Sequence, residues 1–156
     1  MVETVTLGSG TAVAGAARLL HDFNREYDMP TPPVAEVATR LAALLEGDHV
    51  VVLMARDPDT ATPVGVAMLR IYPSLWSPGA EAYLAELYVV PARRGQGFGR
   101  ALITEALAVA RARGADYAFL VTSEEDTLAQ RLYEAAGFRR TEGEGGPEML
   151  AYERDL

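Results

Sequence analysis

Arg93-Arg94-Gly95-Gln96-Gly97-Phe98-Gly99-Arg100 is the stretch on which the reading of this chain turns. It follows the apolar run Leu87-Tyr88-Val89-Val90-Pro91 and precedes Ala101-Leu102-Ile103. The β-branched apolar run predicts a buried strand, and the Ala/Leu-rich segment predicts a helix. The glycines therefore occupy a strand-to-helix turn, where successive backbone N–H groups and the helix dipole converge. Such a turn binds phosphate oxygens. Without side chains at Gly95, Gly97 and Gly99 the backbone can approach an anion closely, and Arg93, Arg94 and Arg100 add positive charge around it.

Spacing separates the known phosphate loops. A P-loop requires Gly-x-x-x-x-Gly-Lys-Ser/Thr, and here Arg100 and Ala101 stand where the lysine and hydroxyl belong. A Rossmann turn requires Gly-x-Gly-x-x-Gly, but counting from Gly95 or Gly97 the third position falls on Arg100 or Leu102. What remains is Arg94-x-x-Gly97-x-Gly99. This pattern resembles the Arg/Gln-x-x-Gly-x-Gly/Ala loop of the GNAT superfamily, the N-acetyltransferases that use acetyl-coenzyme A. A second block, Asp126-Thr127-Leu128-Ala129-Gln130-Arg131-Leu132-Tyr133-Glu134-Ala135-Ala136-Gly137-Phe138, resembles that family's Asn-x-x-Ala-x-x-Leu-Tyr segment ending in Gly-Phe.

The order of elements supports the same reading. Val2 to Leu7 predicts a first strand. Ala16, Leu19, Leu20, Phe23 and Tyr27 mark an amphipathic helix, broken by Met29-Pro30-Thr31-Pro32-Pro33. Val37, Leu41, Leu44 and Leu45 mark a second helix. Val50–Ala55 and Val64–Ile71 predict a hairpin, and Ala82–Val90 the strand entering the glycine turn. A helix from about Gly97 to Arg113 is closed by Gly114, and Tyr117–Thr122 predicts a short strand. Ser123 or Thr122 is the expected cap of the next helix, with Glu125 or Asp126 at capping-box distance. From Phe138 onward a last strand pair is expected, broken by Gly143-Glu144-Gly145-Gly146-Pro147.

This β-α-α-β-β-β-α-β-α-β-β order is that of the GNAT family. The resemblance implies one α/β domain over residues 1–156, with a mixed twisted sheet of six to seven strands flanked by four helices. It further implies that the sheet opens between Ala82–Val90 and Tyr117–Thr122, where the pantetheine arm bonds to exposed backbone.

Composition sets outer limits. The chain has 156 residues, 49% of them apolar and 23% charged, ordinary for a globular domain with a substantial core. Apolar stretches are too short to span a membrane, and Met1-Val2-Glu3-Thr4 does not open a secretory signal, so a cytoplasmic location is expected. A net charge of −8 argues against nucleic acid as partner. The absence of cysteine excludes disulfides, thiolate metal sites and a cysteine acyl-enzyme, and two histidines are too few for a histidine metal centre, so no metal is expected. An acyl transfer would then pass directly between two bound substrates.

Moving an acetyl group from a thioester to an amine requires a neutral acceptor, a donor for the tetrahedral oxyanion and a proton for the departing thiolate. The resemblance assigns Tyr133 as general acid, at the position where the family's phenol lies near the coenzyme sulfur. By spacing alone it is also a helix aromatic packed toward Ala129 and Gly137. Glu86, between Ala85 and Leu87, stands where many relatives carry a catalytic glutamate; burial there would raise its pKa toward a useful range. Glu81 and an ordered water are its competitors. Leu87, Tyr88, Val89, Arg94, Gly95, Gln96, Gly97, Phe98, Gly99 and Arg100 are the implied coenzyme-binding residues, together with Asp126. Asp126 replaces the family's usual Asn and, when ionised, accepts but cannot donate a hydrogen bond, which favours a helix cap.

The acceptor pocket implied by the family draws on His21, Asp22, Glu26, Tyr27, Asp28 and Trp76, acids and aromatics suited to a small primary amine. A homodimer through the C-terminal strands is common among relatives. Two other readings stay open: a non-catalytic acyl-CoA sensor, and an acetyltransferase acting on protein amines.

Overall fold

The computed structural model describes residues 1–6 and 8–156 and divides the chain into two compact units, Met1–Phe119 and Leu120–Leu156. In the first unit, five strands form one sheet in the order β1 (Val2–Thr4), β2 (Val50–Arg56), β3 (Pro63–Pro73), β4 (Ala80–Val89) and β5 (Ala115–Phe119). The first four run antiparallel; β5 lies parallel to β4, joined to it through α3 (Phe98–Ala112). Helices α1 (Gly10–Glu26) and α2 (Val34–Leu45) precede β2.

Strand β2 is apolar on both faces because both are covered. Val51 to Ala55 are all buried. Val52 and Met54 of β2, with Val66 and Met68 of β3, join a core cluster with Ala12, Val13, Ala16, Ala17 and Leu19 of α1 and Leu41 of α2. Small residues let α1 come close: a Cβ on Gly15 would sit 3.2 Å from Met54 Sδ. Alternation along a strand sends the intervening side chains to the opposite face, where α3 packs. There a Cβ on Gly65 would meet Leu102 Cδ1 at 2.9 Å, so β3 needs glycine where α3 presses on it.

In the second unit, α4 (Thr127–Ala135) is capped by Asp126, whose Oδ1 accepts from Ala129 N at 3.0 Å. Neither Ser123 nor Thr122 takes that position, a correction to the expected cap. The strand count is also corrected. Among the described residues the sheet has five strands, not six or seven, and the expected C-terminal pair reduces to one bridge, Thr141 with Glu148. Gly143 and Gly145 take positive φ and Pro147 supplies no N–H, so the segment turns rather than extending a ladder. Met149, Leu150 and Tyr152 are exposed and give it no buried face. The first strand ends at Thr4, with Leu7 outside the described residues, and β5 begins two residues earlier than the sequence suggests.

Candidate active site

The site follows from how β4 is paired. Met68 stands opposite Glu86 and Leu69 opposite Leu84, so Ala85 is an extra residue, a bulge in β4. Its effect is to change faces. Without it Glu86 would share the α3 face with Leu84. With it Glu86 lies on the Met68 face, as Tyr88 lies on that of Val66. Glu86 is half-buried there, and burial raises its pKa above the usual carboxylate range, while Arg70 opposes the rise.

β5 pairs with β4 only as far as Tyr83 with Phe119, yet β4 continues to Val89. Val90 N donates to Val64 O of β3 at 2.9 Å. Alternation then turns the amides and carbonyls of Leu87 and Val89 away from β3, toward the side where β5 has ended. The Val89 carbonyl is taken by Arg94 Nε at 2.9 Å. The amide and carbonyl of Leu87 and the amide of Val89 are left as the hydrogen-bonding edge expected of the sheet opening.

A 3-10 turn, Pro91–Arg93, leads into the glycines. Gly95 and Gly97 have φ of +75° and +91°, the left-handed region where a side chain is strained, and Gly97 is the N-cap of α3. Nothing lies within 4 Å of the Cβ either would carry, so the space over the turn is open. Ala101 N makes the bond to Gly97 O at 3.0 Å, and the amides of Phe98, Gly99 and Arg100 precede it in the first turn, where helices leave N–H groups without an internal acceptor. Open space beside such amides fits a diphosphate.

The arginines behave less uniformly than their spacing implies. Arg94 Nη2 lies 2.7 Å from each carboxylate oxygen of Glu26, and its guanidinium sits 5.7 Å from the Tyr88 ring centre. Arg93 pairs with Asp57 at 2.5 Å. Among the described residues Arg100 has no carboxylate partner. Gln96 Nε2 donates to Ala92 O at 3.2 Å, back into the turn. Around Arg94, Phe23 stacks on Tyr88 at 5.3 Å and meets Tyr27 edge-on at 5.4 Å. Tyr88 is buried, and burial followed by the Glu26 charge raises its pKa. Glu26, one of the acids expected in an acceptor pocket, is committed to Arg94, and His21 Nδ1 lies 3.2 Å from Asp22. Asp28 has φ of +53°, and Trp76 is 88% exposed at the tip of the β3–β4 connection.

Tyr133 belongs to the second unit. Gly137 N bonds Glu134 O and Phe138 N bonds Tyr133 O, both at 3.0 Å, with Gly137 at φ +90°. These bonds form a Schellman stop to α4, and the Tyr133–Phe138 ring contact at 6.2 Å is its customary apolar partner. The Tyr…Gly-Phe spacing therefore encodes a helix terminus as well as any chemistry. Sequence reasoning missed Asp57, which carries no motif; its only signal was its Asp-Pro-Asp-Thr turn.

Residues 16–138 match the Acetyltransferase (GNAT) family. The chain belongs to that family. Mycothiol acetyltransferase of Thermobispora bispora is 48% identical over 65 residues, 40% of this chain and 22% of that protein. The chain thus spans about a fifth to a quarter of the length of the first curated relatives it matches. The crystal structure of a putative acetyltransferase from Arthrobacter sp. FB24 superposes with a TM-score of 0.86 at 43% identity, covering 100% of this chain and 96% of that one. An aminoglycoside N-acetyltransferase solved with CoA shares the fold at TM-score 0.77 and 19% identity, over 100% and 95% of the two chains. Among the described residues of this GNAT chain, no helix is long and apolar enough to cross a membrane.

Proposed function

We propose that this chain is an acetyl-CoA-dependent N-acetyltransferase that moves the acetyl group directly to the primary amine of a small molecule within a ternary complex. The observation that carries the reading is the open glycine turn at the start of α3, beside the unpaired edge of β4. The coenzyme supplies the acetyl group as an activated thioester. Gly95, Gln96, Gly97, Phe98, Gly99 and Arg100 hold its diphosphate through backbone amides and the Arg100 charge. Leu87 and Val89 orient the pantetheine arm through backbone groups, with Tyr88 packed behind them.

Glu86 removes the proton from the acceptor ammonium, directly or through one water. Its raised pKa brings it closer to that of an amine, which makes the transfer less uphill. Tyr133 returns a proton to the departing sulfur. Asp126 acts by capping the helix that carries Tyr133. The reading includes residues 1–156 as one acetyltransferase domain, a cytoplasmic location and a homodimer. The name of the curated relative, mycothiol acetyltransferase, favours a small molecule as the substrate class.

Calorimetry with acetyl-CoA, followed by a thiol-release screen over amines, aminoglycosides and amino acids, tests the reading. Saturable coenzyme binding and turnover with one amine class support it. Binding without turnover across the panel replaces it with an acyl-CoA sensor, and no binding removes it.

A further inference from the structure

Gly95 and Gly97 have open space where a Cβ would stand, so no contact at those two positions fixes the turn. Two ion pairs stand at its entrance instead. Arg93 and Arg94 are adjacent in sequence but reach carboxylates on different elements, Asp57 after β2 and Glu26 at the end of α1. Asp57 is itself fixed. It is 3% exposed, and its Oδ1 accepts from the amides of Asp59 and Thr60 at 2.9 and 3.1 Å, leaving Oδ2 for Arg93. Arg94 is held by Glu26, the Val89 carbonyl and the Tyr88 ring.

We propose that Asp57 and Glu26 are positioning residues for the coenzyme diphosphate, clamping Arg93 and Arg94 so that the glycine turn keeps its binding shape before ligand arrives. This rests on the acetyl-CoA reading above. Both carboxylates face arginine side chains. Each acts through its arginine, and a preformed cradle spares the ligand the cost of ordering the loop. The two clamps are unequal: the Asp57 pair is anchored by backbone amides, whereas both Arg94 and Glu26 are partly exposed to solvent, where ion pairs are weak.

Asp57→Asn isolates the effect, because the amide oxygen still accepts from Asp59 and Thr60 while the NH2 group replaces the oxygen that Arg93 uses. Calorimetry with CoA on wild type, Asp57→Asn, Arg93→Gln and the double variant should show about tenfold weaker binding for each single change. The double should be no weaker than either single, since one clamp is lost only once. With an accepted amine, KM for acetyl-CoA should rise about tenfold and kcat stay within about twofold.

Unchanged CoA affinity in Asp57→Asn overturns the proposal. So do losses that multiply in the double, or a fall in kcat at constant KM. Should Asp57→Asn fail to fold, Arg93→Gln alone carries the test in the same CoA titration, and unchanged affinity there overturns the proposal. A wild type that binds no CoA sinks the coenzyme reading itself, a result distinct from a variant that binds as tightly as wild type.

Discussion

At Gly97 two constraints meet: a left-handed backbone and open space beside the first turn of α3. Gly97→Glu strains the first and puts a negative charge in the second. Coenzyme binding should fall at least about 100-fold by calorimetry. Glu86 makes a two-sided prediction. Its folded pKa is raised, so the native state holds a proton more tightly than the unfolded chain, and Glu86 lowers stability as pH rises through that window. Glu86→Gln should therefore leave the melting temperature at pH 7 unchanged or higher while kcat falls. The acidic limb of kcat/KM in wild type should lie above the ordinary glutamate range. Tyr133→Phe retains the ring contact that completes the α4 stop and removes only the hydroxyl. Turnover should drop about 100-fold with CoA affinity kept; full activity would remove the acid role.

Among elements, α3 matters most to the site, because its N-terminus carries the glycine turn and its buried face grips β3. Leu102 is fully buried, and Gly65 is bare so that Leu102 can reach the sheet. Leu102→Ala should cost about 2–5 kcal/mol in denaturant unfolding. Helices and strands up to β5 were legible within a few residues, because period and breakers act locally. The face of Glu86 was not. Counting by twos from Leu84 puts it under α3, and only the pairing with β3 reveals Ala85 as the extra residue that turns it over. The C-terminal strands misled for the opposite reason. Their glycines and proline read as a hairpin turn, yet a ladder also needs a buried face, which exposed Leu150 and Tyr152 do not supply.

For the molecule as a whole, a ligand that binds only the folded chain must stabilise it. At about 100 times its Kd, acetyl-CoA should add about 2.7 kcal/mol, which for this length means a melting temperature about 5–10 °C higher. No shift at saturation would contradict the coenzyme reading. The amino-acid sequence alone determined the family, the element order as far as α4, and the glycine turn, since each is written in near neighbours whose backbone conformations obey local sterics. Tertiary structure alone decided which carboxylates take the two arginines. Arg94 and Glu26 lie 68 residues apart, and nothing in their spacing predicts a contact that exists only once α1 has packed beside the end of β4. Long-range electrostatics depends on where the core places its charges, and the core forms from the sum of many weak apolar contacts rather than from any one motif.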